Sequence, residues 1–246
     1  MRLLCLCVLM FLLAGWSALP ALAQEPDWRS WAKVLSAHVS QGERDGISAN
    51  LVDYDAIAGD PDFDTAVEVV TTFDVARLEG RNERIAFYIN AYNLLTIRLV
   101  LDHRPIDSIR DIGNFLYGPW DRVVLSNGEG RLTLDDIEHR ILRKMGEPRI
   151  HFALNCASMS CPDLRTEPYS GAGLDRQLEE QAERFVGGKG VDVQGGQLRV
   201  SRIFDWYGDD FGGEDGVVDF LHARGQAIDL KAIDGYLPYD WSLNIK

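Results

Sequence analysis

The sequence predicts an α+β fold in which several helices pack on a small, mainly antiparallel sheet. The segment from Asn82 to about Asp102 is apolar almost all round, which is typical of a helix buried on every side. Short β-prone runs flank turn residues at Asn127–Gly130 and again at Gly195–Gly196, and each pair predicts an antiparallel hairpin. A well-patterned amphipathic segment, Leu174 to Val186, predicts a further helix, this one at the surface.

The overall composition is that of a globular protein. The chain has 246 residues, of which 46% are hydrophobic and 26% are charged, and its formal net charge is −13. This length suits one sizeable core, and the sequence contains no repeat, linker or low-complexity segment. The strong negative charge argues against nucleic acid as a partner, because a phosphate backbone carries charge of the same sign.

The first 23 residues have the pattern of a secretory signal peptide. Arg2 precedes an apolar run from Leu3 to Leu13, and Ala21-Leu22-Ala23 matches the small-x-small cleavage pattern. The run is interrupted well short of the length that spans a membrane. We therefore expect residues 1–23 to be removed. Residues 24–246 would then form a single domain, exported as a periplasmic or secreted protein with no membrane insertion.

Three helices are expected before the first hairpin. They cover about Pro26–Ser40, Asp62–Leu78 and Asn82–Asp102, and Asn82 is the expected N-cap of the third. Asn90 and Asn93 share one face of that buried helix, where an unpaired amide would cost roughly 1–3 kcal/mol. Tying loops to the core is the more usual role for such amides, and contact with a substrate is the alternative.

Helices and strands alternate after the first hairpin. Thr133 and Asp136 form a capping-box pattern at the start of a helix that runs to about Met145. From Ile150 to Leu154, apolar residues at every second position predict a strand. The remaining elements are a hairpin with strands at Val191–Val193 and Leu198–Phe204, a helix from about Val217 to His222, and an aromatic tail that is expected to pack on the body.

The predicted strand ends in a loop that contains Cys156 and Cys161, a suitable mount for reactive groups. The other two cysteines would leave with the signal peptide. In an oxidising compartment, two cysteines so close in sequence predict a disulfide, which would stabilise the fold by about 2 kcal/mol. A zinc site and a redox dithiol fit the spacing less well, and neither a metal nor another cofactor is expected.

Cys156 is also a candidate nucleophile, and a thiol needs a nearby base or positive charge to form the reactive thiolate. His139 is the predicted base, because a helix followed by a short turn and a strand commonly packs against that strand. His151 is a poorer candidate, since the intervening extended chain would span about 16 Å. His151 would also lie on the strand face opposite to that of Cys156.

Other residues would complete such a site. Glu138 or Asp205 could orient the imidazole, and Arg143, one helical turn from His139, could hold a thiolate or an anionic substrate. Asn155 or a loop N–H group could donate to an oxyanion. Two aromatic groups, Trp206-Tyr207 and Tyr239 to Trp241, could line a pocket, although core packing is the more usual role of such clusters.

These residues predict an exported thiol-dependent hydrolase or acyl transferase that acts on an amide or thioester-like bond of a small molecule or peptide. Cys156 would be the nucleophile and His139 the base. The alternative is a non-catalytic exported binding or scaffold domain in which a Cys156–Cys161 disulfide is structural. The state of the two thiols distinguishes these hypotheses.

Five sequence blocks resemble, in the same order, those of the DUF547 family, a domain family of unknown function. The cysteine loop fits the family pattern His-Phe-Ala-x-x-Cys-x-x-x-Ser, then Cys or Ser, then Pro, and Arg202 stands where the family tends to have lysine. The resemblance implies the fold and the motif positions over Asn82 to Asn244, and it implies no activity. The blocks are Phe87–Asn93, Asp136–Arg143, His151–Pro162, Ser201–Phe211 and Tyr239–Asn244.

Overall fold

The computed structural model describes residues 25–114, 117–128, 130–227 and 229–246. The predicted signal peptide therefore lies outside the described residues. The α-helices are α1 (Arg29–His38), α2 (Tyr54–Ile57), α3 (Pro61–Thr72), α4 (Arg81–His103), α5 (Leu174–Val186), α6 (Arg202–Trp206) and α7 (Gly213–His222). The strands are β1 (Val39–Arg44), β2 (Ile47–Val52), β3 (Val123–Asn127), β4 (Gly130–Thr133), β5 (Val191–Gln194), β6 (Gln197–Val200) and β7 (Gly235–Tyr236).

The strands confirm the predicted α+β class but are divided among three small sheets. β1 pairs with β2 and β3 pairs with β4, both antiparallel. In the third sheet β6 lies between β5, which is antiparallel to it, and β7, which is parallel. Both predicted hairpins are present.

Helix α4 is at the centre of the larger of two hydrophobic clusters, as its apolar sequence predicts. Its residues from Ile85 to Ile97 are all buried. The N-cap is Gly80 rather than the predicted Asn82, because the Glu83 carboxylate accepts a hydrogen bond from the Gly80 N–H at 2.9 Å. A carboxylate in the first turn therefore caps this helix where an N-cap side chain was expected.

The predicted helix after β4 begins with the expected capping box and then departs from α geometry. The Thr133 hydroxyl accepts from the Asp136 N–H, and the Asp136 carboxylate accepts from the Thr133 N–H, both at 3.0 Å. From Asp136 to Leu142 the segment is a π-helix, and a 3₁₀ turn follows. Wide π turns are rare and occur frequently at functional sites.

The strand predicted from Ile150 to Leu154 is wrong, because the segment Pro148–Phe152 is a 3₁₀ helix. Pro148 stands at its first turn, and the Glu147 side chain caps it by accepting from the Arg149 N–H. Ile150, His151 and Phe152 are all buried, so the alternation did not separate a core face from a solvent face. The prediction that His151 lies on the face opposite to Cys156 assumed a strand and is therefore wrong as well, since both residues line the same cavity.

The second hairpin is shorter than predicted. Its second strand ends at Val200, and the Ser201 hydroxyl then caps helix α6, so Asp205 lies in a helix and not at a strand end. The C-terminal tail packs on the body as expected, since Ser242 and Leu243 bridge to Ser108 and Ser158. Within the described ranges, no helix is long and apolar enough to cross a membrane.

Candidate functional site

A cavity of about 400 Å³ lies where the π-helix, the cysteine loop, α6 and the C-terminal tail meet. Its wall contains both cysteines of the loop together with the ionisable groups Glu138, His139 and His151. The volume is that of a small-molecule site. The remaining lining residues are mainly aromatic, with two aspartates: Tyr92, Trp120, Asp121, Asp135, Leu154, Pro162, Ile203, Trp206, Tyr207, Tyr239 and Trp241.

The backbone around Cys156 is held in a sharp turn. Ala157 is fully buried and has a φ of 61°, in the left-handed region that non-glycine residues rarely adopt. The Asn155 carboxamide oxygen accepts from the Ala157 N–H at 3.0 Å, and its amide donates to the Pro162 carbonyl at 2.7 Å. Strained backbone of this kind concentrates at active sites. The turn presents the half-buried Cys156 side chain to the cavity.

The Cys156 thiol is surrounded by hydrogen-bond donors. Its sulfur lies 3.2 Å from the Ser158 hydroxyl and 3.4 Å from the Tyr239 hydroxyl. Burial alone would raise the pKa of this thiol, but hydrogen bonds from Cys161, Ser158 and Tyr239 outweigh burial and lower the pKa from 9.0 to about 7. Cys156 is therefore a more acidic thiol than an ordinary cysteine, and no described hydrogen bond joins its sulfur to a histidine.

The predicted disulfide is not formed in this structure, because Cys156 and Cys161 are both free thiols. The Cys161 sulfur instead accepts a hydrogen bond from the Cys156 N–H at 2.8 Å. Burial raises the pKa of the Cys161 thiol well above its usual value, and the neighbouring Cys156 raises it further. Of the two cysteines, Cys156 is thus the one with the properties of a nucleophile.

Glu138 is a buried carboxyl group on the π-helix, 6% exposed, at the cavity wall. Burial raises its pKa, and hydrogen bonds from the Tyr207 and Tyr92 hydroxyls oppose that shift only in part. A carboxyl group whose pKa is raised by burial keeps its proton to a higher pH than an ordinary carboxyl group, which suits it to donate that proton. Glu138 therefore has the properties of a general acid.

His151 and Asp210 form a hydrogen-bonded pair beside Glu138. The His151 Nε2 lies 2.7 Å from the Asp210 carboxylate, and its ring stacks on Tyr207 with 3.9 Å between ring centres. Hydrogen bonds from Arg143 hold the pKa of Asp210 at about 2, so the carboxylate is ionised and must accept the Nε2 proton. The Nδ1 of His151 is then a bare acceptor.

That Nδ1 atom is buried and has no hydrogen-bond partner among the described residues, and it lies 3.8 Å from the nearer Glu138 oxygen. Burial lowers the pKa of His151 to about 4, which leaves the imidazole neutral at physiological pH. An orienting carboxylate on one nitrogen and a free lone pair on the other are what a general base requires.

His139, the predicted base, also lines the cavity, but its ring nitrogens have other partners. Its Nδ1 accepts from Arg143 at 2.9 Å, and its Nε2 lies 3.5 Å from Asp135. No described hydrogen bond joins it to Cys156. The prediction that Arg143 shares a helix face with His139 is confirmed by this contact. Arg143 itself binds Asp210 through two hydrogen bonds of 2.6 and 2.8 Å.

The other predicted site residues lie away from the cavity. Asp205 is exposed on α6 and pairs with Arg202 at 2.8 Å. The Asn90 carboxamide binds both the N–H and the carbonyl of Tyr169, and Asn93 binds the Ala153 carbonyl and the Asn155 N–H. These asparagines have the loop-tying role that the sequence favoured. Asn155 has its polar side-chain atoms occupied within the loop and is not free to serve an oxyanion.

Sequence reasoning missed Asp210, Ser158 and the part played by Tyr239. Asp210 is separated from His151 by 59 residues, and no local sequence pattern predicts that the two side chains form a hydrogen bond. Tyr239 reaches the thiol across 83 residues because the tail folds back over the loop. One signal is present in the sequence: the aromatic groups around Trp206 and Trp241, for which core packing is the more usual role, line the cavity.

The described part of the chain contains no group of three or more His, Cys, Asp or Glu side chains arranged to hold a metal ion.

The fold and the cavity define a class: an α+β protein with a free cysteine on a strained turn, facing an aromatic cavity whose wall also contains Glu138 and His151. The family model described as "Protein of unknown function, DUF547" matches residues 75–186. This match confirms the DUF547 resemblance over the segment that contains α4, the π-helix, the cysteine loop and α5. No curated protein and no solved structure matches the chain.

Proposed function

We propose that this protein is a thiol-dependent hydrolase or acyl transferase that acts on an amide or thioester-like bond, with Cys156 as the nucleophile. The observation that carries the proposal is the position of a free, hydroxyl-stabilised thiol at the wall of a cavity that also contains Glu138 and His151. A nucleophile, an acid and a base around one space large enough for a substrate are the parts that acyl transfer needs.

The first half of the reaction forms an acyl-enzyme. The Cys156 thiolate attacks the substrate carbonyl carbon, and the bond from that carbon to sulfur replaces the π bond, whose electrons move to oxygen. The hydroxyls of Tyr239 and Ser158, which lie within 3.4 Å of the sulfur, are the donors available to this oxyanion. Burial raises the pKa of Tyr239 well above its usual value, so its hydroxyl keeps its proton. When the tetrahedral intermediate collapses, the leaving nitrogen or sulfur takes a proton from Glu138.

The second half releases the acyl group. Water, or another acyl acceptor, loses a proton to the Nδ1 of His151 and attacks the thioester carbonyl, and the Cys156 thiolate leaves. The proton passes from His151 to the Glu138 carboxylate 3.8 Å away, which restores the starting state. His151 replaces His139 as the proposed base, because the Nδ1 lone pair of His139 is already occupied by Arg143.

The test is acylation followed by mass spectrometry. The purified protein is incubated with a panel of small thioesters, activated esters and peptide amides, and the intact mass is measured with time. We expect one acyl adduct per chain, located at Cys156 and followed by turnover. Cys161→Ser, in which the hydroxyl can accept from the Cys156 N–H, is the matched control and should keep the adduct. An equal adduct in Cys156→Ser would refute the assignment.

The alternative is a non-catalytic binding or scaffold domain with a Cys156–Cys161 disulfide. A thiol count on freshly purified protein, unfolded without reductant so that the reagent reaches the buried Cys161, separates the two proposals. Two free thiols per mature chain favour the enzyme, and none favours the scaffold, since a bridged Cys156 cannot attack a carbonyl.

We also propose that the protein is exported, to the periplasm or the medium, on the basis of the signal-peptide pattern in residues 1–23. N-terminal sequencing of protein recovered from the producing cells tests this. Gln24 is the expected first residue, and an intact Met1 end would contradict the proposal.

A further inference from the structure

The lining of the cavity includes three hydrogen-bond acceptors that suit a cationic ligand. Asp121 and Asp135 are exposed carboxylates at its wall, and the unpartnered Nδ1 of His151 is an acceptor that is buried there. No lysine or arginine is among the described residues of the lining. Arg143, which contacts the lining residue His139, is already neutralised by two hydrogen bonds to Asp210. The cavity therefore favours a ligand that brings positive charge and N–H donors.

The apolar part of the wall suits the same ligand. Trp206, Tyr239 and Trp241 form an aromatic cluster, with ring centres 4.6 to 5.7 Å apart. Trp206 is 44% exposed, unusual for a side chain of this size. Aromatic faces attract cations, and Trp241 already has the Arg110 guanidinium 5.2 Å from its ring centre.

We propose that the cavity binds a substrate through a protonated amine, seated between this aromatic cluster and the Asp135 carboxylate, with an N–H group directed at His151. The substrate class is an acyl compound that carries an organic ammonium group. The net charge of −13 adds to this preference for a cationic ligand, because it attracts cations to the protein and repels anions. The inference rests on the proposed function only in taking this cavity to be the substrate site.

The test measures binding in the absence of chemistry. Cys156→Ser protein is titrated calorimetrically at pH 7 with three probes of similar shape: benzylamine, which is protonated, benzyl alcohol, which is neutral, and benzoate, which is an anion. We expect benzylamine to bind roughly tenfold or more tightly than either of the others, in line with one cation–π contact and one carboxylate contact. Benzyl alcohol or benzoate binding as tightly as benzylamine, or no binding by any probe, overturns the inference.

Two variants locate the effect. Trp206→Ala and Asp135→Asn should each weaken benzylamine binding several-fold and leave benzyl alcohol nearly unchanged. Asp45→Asn removes a carboxylate from the turn between β1 and β2, where φ is 52° and asparagine is well tolerated, so it is the matched control. If Asp45→Asn weakens benzylamine binding as much as Asp135→Asn does, the selection comes from general charge and the site assignment is wrong. Because the nucleophile is absent from all these proteins, failure here is distinguishable from failure of the acylation experiment.

Discussion

At the scale of single residues, the site depends on Cys156 and His151, whose surroundings lower the pKa of each side chain. Hydroxyl and thiol donors lower the pKa of Cys156 to about 7 against the effect of burial. Burial lowers the pKa of His151 to about 4, and Asp210 fixes which of its nitrogens carries the proton. Different neighbours thus determine the pKa of the nucleophile and that of the base, so a substitution can change one pKa without the other.

Removing a hydroxyl beside the sulfur should make Cys156 less acidic. Tyr239→Phe and Ser158→Ala each delete one donor to the thiolate, and a hydrogen bond to a charged group contributes about 1.5–3 kcal/mol. We expect the thiol pKa to rise by about one unit or more in each variant. Ultraviolet absorbance of the thiolate during a pH titration measures it. An unchanged pKa in both variants would show that these hydroxyls do not act on the sulfur.

His151 should make the stability of the protein depend on pH. Its pKa is about 4 in the folded state and 6.5 when unperturbed, so between these values the unfolded chain binds a proton that the folded chain does not. Above pH 6.5, His151 is neutral in both states and does not reduce the free energy of unfolding. As the pH drops from 6.5 to 4, protonation of the unfolded chain lowers that free energy by about 3 kcal/mol. Urea unfolding at pH 7 and pH 4.5 measures the difference. His151→Gln should show a smaller fall over this window, and an equal fall would contradict the assignment.

At the scale of elements, sequence patterns succeeded where the periodicity was long. Helix α5 was predicted to the residue, and the 23-residue α4 was predicted within two residues at either end. The Thr133 capping box was also correct. Helices of this length repeat their pattern several times, and their caps are local, so neither depends on the rest of the fold.

Short elements were predicted less well, for physical reasons. Five residues from Ile150 fit a period of two by chance, and nothing local distinguishes a strand from a 3₁₀ segment in which Ile150, His151 and Phe152 are all buried. The π geometry of Asp136–Leu142 has no sequence signature of its own. The contact between His151 and Asp210 is a tertiary event, so the base could be found only from the fold.

The asparagine side chains of α4 provide a test at this scale. Asn93→Ala would leave the Ala153 carbonyl and the Asn155 N–H without their partner in a buried region. We expect the free energy of unfolding to fall by about 2–4 kcal/mol, measured by urea denaturation at pH 7. Asn82→Ala is the matched control, because Asn82 is exposed in the first turn and Gly80 is the N-cap, so a change within about 0.5 kcal/mol is expected. A larger loss from Asn82→Ala would restore Asn82 as the cap.

At the scale of the whole molecule, the C-terminal tail completes the site. The tail crosses the cysteine loop, bridges to Ser158 through Leu243, and brings the Tyr239 hydroxyl to the Cys156 sulfur. Asn244 adds a buried hydrogen bond of 2.7 Å from the Tyr54 hydroxyl. The tail therefore contributes a hydroxyl to the thiol and is itself fixed to the first half of the chain, so the reactivity of that thiol should depend on the tail.

Leu243→Ala tests how firmly the tail is attached. Leu243 is 2% exposed, and truncating a buried leucine costs about 2–5 kcal/mol. Val193→Ala, at a position that is 47% exposed, is the control and should cost less than about 1 kcal/mol. Urea unfolding of the two variants gives the comparison. Equal losses would mean that the tail contributes no more than an exposed hairpin position.

The measurement that tests the account most directly is the alkylation rate of each cysteine in the native protein as a function of pH. Iodoacetamide is applied for short times at a series of pH values, and the labelled cysteine is identified by peptide mass spectrometry. We expect Cys156 to be labelled with a midpoint near pH 7, while Cys161 stays unlabelled until the protein unfolds. A Cys156 that resists alkylation, or one whose midpoint is that of an ordinary thiol near 9.0, would contradict it.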